Sequence, residues 1–412
     1  MNATSPRLHV AVFIFADFGH INPTLGVARE LLARGHRVTY VIDERFADRV
    51  EQSGARAVTY ASGRGAFYKA THPTADELAD DGHRLFIETM DTVVPLAASA
   101  FENDSPDVVL YDFETVVAGR MTARTFDATS IQVNPSYASN EEFSMRAMVW
   151  KADHPVIQAC VTALIEFLQA NGIGLEEYSR FGDEWDERNL VFLPREFHIK
   201  GDTFGDRYSF VGPTATQYDG DISWTPPGDG RRVALVSLGT EAVGQQEFFQ
   251  ACAQVFNERE WHVVMTVGSD FDPTQLGALP PNVEVHPWLP HPVILPHVDV
   301  LVCHAGMGSV MEALYFATPV VAVPRAHELE LTARRLEELG LGRMIPVDDL
   351  SASAIAEAVQ GLLAAPGLDE RLALMREHLI ASGGAPRAAD LVERWAAEAA
   401  KPAVSAQPST AL

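Results

Sequence analysis

Two series of continuous apolar runs, each run followed by a helix-length segment, constrain this chain more than any other feature. The runs of the first series are LHVAVFIF (8–15), RVTYVI (37–42), DVVLYD (107–112) and SIQVNP (130–135). The runs of the second series are RVALVSLG (232–239), WHVVMTVG (261–268), VDVLVCHAG (298–306) and PVVAVP (319–324). Continuous apolar strands with helical crossovers are typical of parallel sheets covered on both faces. We therefore predict an α/β fold with two tandem, doubly wound Rossmann-like domains.

The break between the two series is a segment rich in Gly, Pro, Asp and Thr at 214–231, which predicts a linker. We predict an N-terminal Rossmann-like domain over 1–213 and a C-terminal one over 232–384. The amphipathic segment 385–400 predicts a closing helix, and 401–412 a flexible tail.

Helical spacing of the apolar residues in TLGVARELLARG predicts the first helix over 24–35. A further helix is predicted over 82–103. Residues 62–80 show little periodicity and predict a loop.

Length and charge exclude several classes of protein. A chain of 412 residues suits two domains. Its formal net charge of −25 disfavours nucleic acid and anionic membranes as partners.

The three cysteines form no CxxC and fit a reducing compartment. The beginning of the chain lacks a basic leader, and no apolar run approaches about 18 residues, the length that spans a bilayer. We predict a cytoplasmic protein that is a monomer or a homodimer.

Small residues follow two strands of the second series, where a parallel sheet binds its ligands. One turn contains Ser237, Gly239 and Thr240; the other contains His304, Gly306, Gly308 and Ser309. Such residues let backbone N–H groups approach an anion, and the following helix N-terminus favours negative charge. Glycines that only form tight turns, with His304 a near-core residue, are the alternative for either turn alone. Two such turns in one sheet favour a phosphate ligand.

Two residues near these turns have side chains suited to a nucleoside. Glu312 lies one helical turn beyond the HAGMGS segment, from where its carboxylate could accept hydrogen bonds from ribose. Trp288 lies at a strand end, where its indole could stack on a base. A solvated helix charge and a packed core tryptophan are the alternatives.

In the first series, His20 and Asp112 each follow a strand of the predicted sheet. A carboxylate that holds one imidazole nitrogen raises the basicity of the other. Such a pair could take a proton from a hydroxyl group. Their separation along the chain leaves open whether they meet.

Other motifs argue against rival chemistries. No GxSxG nucleophile elbow, GK[ST] phosphate loop or complete GxGxxG occurs, which disfavours a hydrolase, a P-loop enzyme and a dinucleotide-dependent oxidoreductase. His327, Glu328 and Glu330 lack the helical spacing of a metal site. SDFDP (269–273) predicts turn chemistry. We predict no metal and no cofactor.

These motifs together resemble the inverting family 1 glycosyltransferases with the GT-B fold, in which two Rossmann-like domains face each other across a cleft. Within that family the chain is similar to the macrolide glycosyltransferases of antibiotic-producing actinomycetes. The stretches that carry the resemblance are FGHINPTLGVARELLARGHRVTY, LPREFHIKGDTFGDRYSFVGPT, NVEVHPWLP, HAGMGSVMEAL and LEELGLGRMIP.

The resemblance implies a function and a role for each candidate residue. A hexose would pass from a nucleotide sugar, UDP-glucose first, to a hydroxyl of a macrolide or other apolar polyketide, in one inverting step without metal. His20 would be the base and Asp112 its partner. The helix 385–400 would cross back to the N-terminal domain. The implied donor-binding residues are Ser237, Gly239, Thr240, Trp288, Leu289, His304, Gly306, Gly308, Ser309, Glu312, Glu328 and Leu329.

Two positions depart from the family. Pro290-His291 stands where many relatives have Pro-Gln, and Glu328-Leu329 where an acidic residue followed by Gln is common. Leucine cannot hydrogen-bond sugar hydroxyls, so a TDP-linked deoxysugar donor is an alternative to UDP-glucose. A catalytically silent homologue that binds a partner enzyme is a further alternative, which the presence of both His20 and Asp112 disfavours.

The acceptor side is predicted only as large and apolar. The candidate acceptor-binding residues are Phe18, Phe67, Tyr68, Tyr137, Phe143 and Met148.

Overall fold

Two parallel sheets flanked by helices form the protein, as the alternation of strands and helices predicts. The structure, a computed structural model, describes residues 6–63, 75–149, 155–218, 220–239, 246–268 and 271–400. Within these ranges every pairing between named strands is parallel. The prediction of two doubly wound α/β units is confirmed.

The first sheet has the strand order β3-β2-β1-β4-β5-β6-β7. Its strands are β1 (His9–Phe13), β2 (Arg37–Asp43), β3 (Arg56–Tyr60), β4 (Val108–Tyr111), β5 (Thr129–Asn134), β6 (Asn189–Val191) and β7 (Tyr208–Phe210). The chain order reverses between β1 and β4, which pair directly. A ligand site is expected where the order reverses, beyond the carboxyl ends of these two strands.

The second sheet has the order β10-β9-β8-β11-β12-β13. Its strands are β8 (Arg232–Ser237), β9 (Trp261–Thr266), β10 (Val283–His286), β11 (Val300–Cys303), β12 (Val320–Ala322) and β13 (Gly342–Met344). Here the reversal lies between β8 and β11, whose last residues Ser237 and Cys303 are register partners. The two sheets therefore place equivalent edges at β1/β4 and at β8/β11.

Helices cover both faces of each sheet. Those before β8 are α1 (Phe18–Ala33), α2 (Ala47–Gln52), α3 (Ala75–Glu88), α4 (Val94–Phe101), α5 (Val116–Phe126), α6 (Met145–Val149), α7 (Pro155–Ala170) and α8 (Ser179–Gly182). Those after β8 are α9 (Gln246–Val255), α10 (His291–Ile294), α11 (Met307–Tyr315), α12 (His327–Glu338), α13 (Ala352–Leu363), α14 (Leu368–Ala381) and α15 (Gly384–Ala399). A π-helical segment, Thr89–Val93, joins α3 to α4. Among the described residues no helix is both long and apolar enough to cross a membrane.

Helix α1 begins earlier than the spacing of apolar residues predicts. The prediction of a start at residue 24 is wrong, because Asp17 caps the helix and accepts a 2.7 Å hydrogen bond from the backbone N–H of Gly19. Pro23 therefore lies inside the helix rather than at its beginning. The consequence is that His20 is held in the first turn of a helix and not in a loop.

Helix α3 likewise begins before the predicted helix. It starts at Ala75, so a helical path occupies residues 75–80 that the sequence predicts as loop. Helix α3, the π segment and α4 follow one another from Ala75 to Phe101.

The linker crosses α1 at one point of close backbone approach. Thr214 donates a 2.5 Å hydrogen bond from its hydroxyl to the carbonyl of Pro23. A Cβ at Gly26 would lie 2.0 Å from the carbonyl oxygen of Thr214, so only glycine permits this crossing.

Helix α15 packs on the first sheet, although it ends the described chain. Its buried Ala388, Val392 and Trp395 belong to the same apolar cluster as Val10 and Leu25 of the first unit. Polar contacts hold its outer side, since Arg34 lies 2.6 Å from Asp390 and 3.3 Å from Glu393, and His36 lies 2.9 Å from Glu393.

Arg335 of α12 joins the second unit to the first. Its guanidinium donates to the backbone carbonyls of Phe197 at 2.9 Å and Glu196 at 3.0 Å. Helix α1 also contacts α11, and α6 contacts α12. The carboxyl edges of the two sheets are thereby set opposite one another.

Candidate functional site

The edge of the first sheet contains the His20–Asp112 pair that the sequence singles out. Asp112 follows β4 directly, and His20 lies in the first turn of α1, which follows β1. The Nδ1 atom of His20 is 2.9 Å from Oδ2 of Asp112. The Asp112 side chain is 1% exposed and that of His20 is 19% exposed, so the imidazole forms the solvent-facing member of the pair.

Asp112 is fixed by hydrogen bonds on both of its oxygens. Oδ2 accepts the backbone N–H of Phe15 at 2.8 Å in addition to His20. Oδ1 accepts the backbone N–H and the hydroxyl of Thr115 at 3.1 Å and 2.8 Å. Because a carboxylate has about four acceptor positions, these bonds saturate Asp112.

This saturation bears on whether the edge could hold a metal ion. Among the described residues, His20, Asp112 and Glu114 bring potential ligand atoms within 4.8 Å of one another. A metal would have to displace hydrogen bonds from Asp112 that position the imidazole. The donor set therefore fits the orientation of His20 better than coordination of a cation.

Glu114 is a neighbour of this pair that the sequence interpretation missed. Its Oε2 lies 3.9 Å from His20 Nδ1, and its side chain is 38% exposed. Its position two residues beyond Asp112, at the same strand end, was the signal that could have found it.

The charges around His20 determine its protonation. Burial alone lowers the pKa of His20, but the negative charges of Glu114, Asp112 and Asp17 outweigh it and raise the pKa to about 10. Burial raises the pKa of Glu114 to about 7, with the charge of His20 opposing and those of Asp112 and Glu328 adding to the shift. The imidazole of His20 is therefore a strong base, and only a minor fraction of it is deprotonated at neutral pH.

The edge of the second sheet contains the HAGMGS turn. His304 follows β11, Gly306 caps α11, and Gly308 and Ser309 lie in its first turn. A Cβ at Gly306 would lie 2.6 Å from Nε2 of His304, and one at Gly239 would lie 3.0 Å from its Cε1. Both glycines thus leave room for the imidazole, and Gly239 in addition has the left-handed φ of 80°.

His304 is partly buried, and among the residues that the structure describes one of its ring nitrogens has no hydrogen-bond partner. It lies beside the backbone of Ser237, and its buried Nδ1 has no hydrogen-bond partner within the described ranges. Burial lowers the pKa of His304 to about 4, against the opposing charge of Asp17 across the two units. The imidazole is therefore neutral at pH 7 and can donate one hydrogen bond.

Arg325 is a second residue that the sequence interpretation missed. It follows β12, the strand next to β11, and its charge acts on His304. Its Nε is buried with no hydrogen-bond partner in the part of the chain that the structure describes, and burial lowers the pKa of Arg325. Two unpaired buried nitrogens at neighbouring strand ends, one of them cationic, fit an anionic ligand. Examining the end of PVVAVP as another strand-to-helix turn would have found Arg325.

Glu312 and Trp288 lie near this turn. Oε2 of Glu312 is 2.9 Å from Nδ1 of His291, the first residue of α10. The indole of Trp288 is 39% exposed and packs edge-on against Tyr218 with 6.2 Å between ring centroids. Trp288 is therefore available on the surface and is not a core tryptophan.

The remaining donor-side candidates separate by position. Glu328 and Leu329 lie in the first turn of α12, both partly buried, and the charge of Glu328 contributes to the raised pKa of Glu114. Leu289 is only 4% exposed and belongs to the core, so its side chain supports the neighbouring Trp288 segment from beneath. Thr240 lies outside the described residues.

Known proteins are similar to this chain in sequence. Residues 248–396 match the family described as erythromycin biosynthesis protein CIII-like, C-terminal domain. The chain is 38% identical over 395 residues to demethyllactenocin mycarosyltransferase of Streptomyces fradiae, covering 93% of this chain and 86% of that one. It is 34% identical over 404 residues to oleandomycin glycosyltransferase of Streptomyces antibioticus, covering 95% and 92%.

The chain belongs to the macrolide glycosyltransferase group of family 1.

Solved structures agree with this assignment of the glycosyltransferase. The crystal structure of CalG4, the calicheamicin glycosyltransferase, superposes with a TM-score of 0.84 at 36% identity, covering 96% of this chain and 100% of that one. The glycotransferase of kitacinnamycin superposes with a TM-score of 0.82 at 33% identity, covering 94% and 99%. The predicted GT-B fold and the predicted enzyme class are both confirmed.

A cavity adjoins the catalytic edge of this glycosyltransferase. Its enclosed volume is about 20 Å³, which is room for roughly one water molecule. Its lining includes Phe15, Tyr60, Leu85, Glu114 and Thr115, so it opens beside the His20–Asp112 pair.

The predicted acceptor residues fall into three groups. Phe18 is partly buried at the start of α1, and Met148 is 40% exposed on α6. Tyr137 and Phe143 are only 5% and 7% exposed, because they pack around the buried imidazole of His198. The structure thus places these two rings in the core, not on an open surface. Phe67 and Tyr68 lie outside the described residues.

Proposed function

We propose that this glycosyltransferase transfers a hexose from a nucleoside diphosphate sugar to a hydroxyl of a macrolide or other apolar polyketide, by a single inverting displacement without metal. The observation that carries the proposal is the 2.9 Å contact between His20 and Asp112 at the edge of the first sheet, opposite the His304 turn of the second. The macrolide-related names of the relatives support the acceptor class.

In this proposal His20 takes the proton of the acceptor hydroxyl. Asp112 holds the Nδ1–H, so Nε2 is the nitrogen that accepts the proton. The oxygen attacks the anomeric carbon while the bond from that carbon to the nucleoside diphosphate breaks. One displacement from the opposite face inverts the anomeric configuration.

The second edge stabilises the leaving group. The diphosphate would lie over the first turn of α11, where Gly308 and Ser309 expose backbone N–H groups. Neutral His304 donates one hydrogen bond, and Arg325 supplies positive charge to the oxygen that gains negative charge as the bond breaks. Trp288 stacks on the base, and Glu312 accepts from the sugar of the nucleoside.

A donor-by-acceptor screen with mass-spectrometric detection tests the proposal. UDP-glucose, UDP-galactose, TDP-glucose and a TDP-deoxysugar are each incubated with a panel of macrolides and other polyketides, with and without EDTA. We expect a glycosylated product whose mass rises by one hexosyl unit, at a rate that EDTA leaves unchanged. Proton NMR of the product is expected to show a configuration inverted from that of the donor.

The screen also separates the alternatives. A product with retained configuration, or a rate abolished by EDTA and restored by a divalent cation, contradicts the mechanism. Absence of turnover with every donor favours the alternative of a silent partner-binding homologue. Turnover with the TDP-deoxysugar alone selects the alternative donor that Leu329 suggests.

A further inference from the structure

Glu184 holds the first turn of helix α6 with both of its carboxylate oxygens. The hydroxyl of Ser144, the residue before α6, lies 2.7 Å from Oε1 and 2.9 Å from Oε2 of Glu184. Nε of Arg146 donates to Oε1 at 3.2 Å, and the backbone N–H of Arg146 donates to Oε2 at 3.4 Å. One side chain from a distant segment of the chain thus fixes the beginning of this helix.

The backbone around Glu184 is itself attached to the first sheet. Its carbonyl accepts a 2.8 Å hydrogen bond from the side-chain amide of Gln132 in β5, which is 1% exposed. The buried guanidinium of Arg120 donates to the carbonyls on either side, those of Asp183 at 3.2 Å and Trp185 at 2.7 Å. Glu184 therefore transmits the rigidity of the sheet to α6.

Helix α6 depends on such contacts because it has only five residues. Isolated helices shorter than about 12–15 residues are marginal in water. The hydroxyl of Ser144 also accepts the backbone N–H of Ala147 at 2.9 Å, so the residue that caps the helix is the one that joins it to Glu184. Since these bonds lie outside the apolar core, we expect their loss to move α6 and to leave the sheet intact.

Helix α6 lies between the catalytic edge and the second unit. The guanidinium carbon of Arg146 is 5.6 Å from the ring centre of Phe113, the residue that follows Asp112. On its other side α6 contacts α12 of the second unit. Met148 of α6 is 40% exposed, which leaves an apolar side chain uncovered here. An acceptor whose hydroxyl lies at His20 and whose body extends towards α12 would therefore pass along α6.

We propose that Glu184 is a positioning residue for the acceptor: it fixes α6 as one wall of the acceptor site, against which large apolar acceptors bind and which small acceptors do not reach. The inference rests on the proposed function, which places the reacting hydroxyl at His20. The wall contacts parts of the acceptor that are remote from this hydroxyl. It therefore binds ground state and transition state equally and should affect acceptor affinity, not the rate of the bound complex.

Steady-state kinetics of Glu184→Ala tests the inference with the largest and the smallest acceptor that the donor-by-acceptor screen identifies. The KM for the largest acceptor is expected to rise roughly tenfold, because the wall it binds is no longer fixed by charge-assisted hydrogen bonds. Its kcat should stay within about twofold of the wild-type value, and so should the KM for the smallest acceptor. Partial unfolding would instead lower kcat by reducing the number of active molecules, and would leave KM unchanged.

Two further variants make the result specific. Glu184→Gln retains an oxygen that accepts from Ser144 but loses the charge that attracts Arg146, so it should raise the same KM roughly threefold. This variant decides the test if Glu184→Ala does not fold. Glu177→Ala is the matched control, because Glu177 is 24% exposed and pairs with Arg124. It is expected to leave both KM values unchanged.

The outcomes distinguish this inference from the proposed function. An unchanged KM for the largest acceptor, or a fall in kcat alone, overturns the role of Glu184 and leaves the glycosyltransferase mechanism intact. Equal rises in KM for the largest and the smallest acceptor also overturn it, since a remote wall acts only on acceptors that reach it. A wild-type protein that glycosylates no acceptor overturns the proposed function and with it this inference.

Discussion

The two sheet edges that face one another differ in how completely their polar groups are paired. At the first edge Asp112 holds four hydrogen bonds and orients His20 at 2.9 Å. At the second edge the buried Nδ1 of His304 and Nε of Arg325 have no hydrogen-bond partner among the described residues. The polar groups of the first edge are paired with one another, whereas in the proposed mechanism those of the second edge pair with the donor.

This difference has opposite consequences for the stability of the free protein at the two edges. A fully bonded acid–base pair is rigid before substrate arrives and contributes to stability. Unpaired buried nitrogens cost stability in the free protein and return that free energy when an anion binds. Variants of the first edge should therefore lower kcat and leave donor affinity unchanged. Variants of the second edge should mainly lower donor affinity.

The largest expected effect is that of His20→Ala. Removal of the base is expected to lower kcat roughly 10³-fold, because positioned general bases contribute about 10²- to 10⁴-fold. Titration calorimetry should show an unchanged dissociation constant for the nucleoside diphosphate. A variant with full kcat would remove His20 from the mechanism, and a large loss of donor affinity would break the division between the edges.

Asp112→Asn tests whether the first edge is structural as well as catalytic. The new amide nitrogen would face N–H or O–H donors from Phe15, Thr115 and His20, leaving one buried group unpaired. We expect a loss of roughly 1–3 kcal/mol in the free energy of unfolding and a fall in kcat of about 10²-fold. Urea unfolding and steady-state kinetics measure the two effects, and an unchanged unfolding midpoint would contradict the account of Asp112.

Arg325→Met tests the second edge. Loss of the guanidinium is expected to weaken donor binding roughly 10- to 100-fold, since a charge-assisted hydrogen bond contributes about 1.5–3 kcal/mol. Without ligand the variant should be as stable as the wild type or more so, because an unpaired buried nitrogen is gone. Arg334→Met is the matched control. Arg334 lies in α12, the helix that follows Arg325, where its side chain is 58% exposed and pairs with Glu330. Equal effects of the two substitutions would rule out a specific role for Arg325.

The smallest expected effect concerns Glu114 and pH. A base acts only when deprotonated, so activity is lost as the pH falls through the pKa of His20, which the surrounding carboxylates raise to about 10. The rate should therefore still rise with pH above 8. Glu114→Gln removes one of these charges and should move the acidic limb of kcat/KM to lower pH by roughly half a unit, with a roughly threefold gain at pH 7. An acidic limb that stays in place would show that Glu114 does not control His20.

Much of the site could be predicted because the ends of the apolar runs in the sequence mark the ends of strands. His20 and Asp112 follow two apolar runs, and adjacent strands of a parallel sheet bring such residues together at one edge. The HAGMGS turn follows another run and precedes α11 as predicted.

The rest depends on contacts between segments that a sequence does not order in space. The sequence marks His291 as a departure from the family, but its pairing with Glu312 follows from how α10 packs on α11. Tyr137 and Phe143 look like surface for an acceptor, yet tertiary packing around His198 buries them. The spacing of apolar residues predicts a start for α1 at residue 24, whereas the N-cap at Asp17 sets the actual start.

Helix α15 has a consequence for how the chain is made. The apolar surface of the first unit that surrounds Val10 and Leu25 is covered by residues Ala388, Val392 and Trp395 of α15. A ribosome adds about 5–20 residues per second, so that surface stays exposed during most of the synthesis, until α15 has been made. The first half of the chain thus spends tens of seconds as a nascent polypeptide with an incomplete core, during which chaperones have access to it.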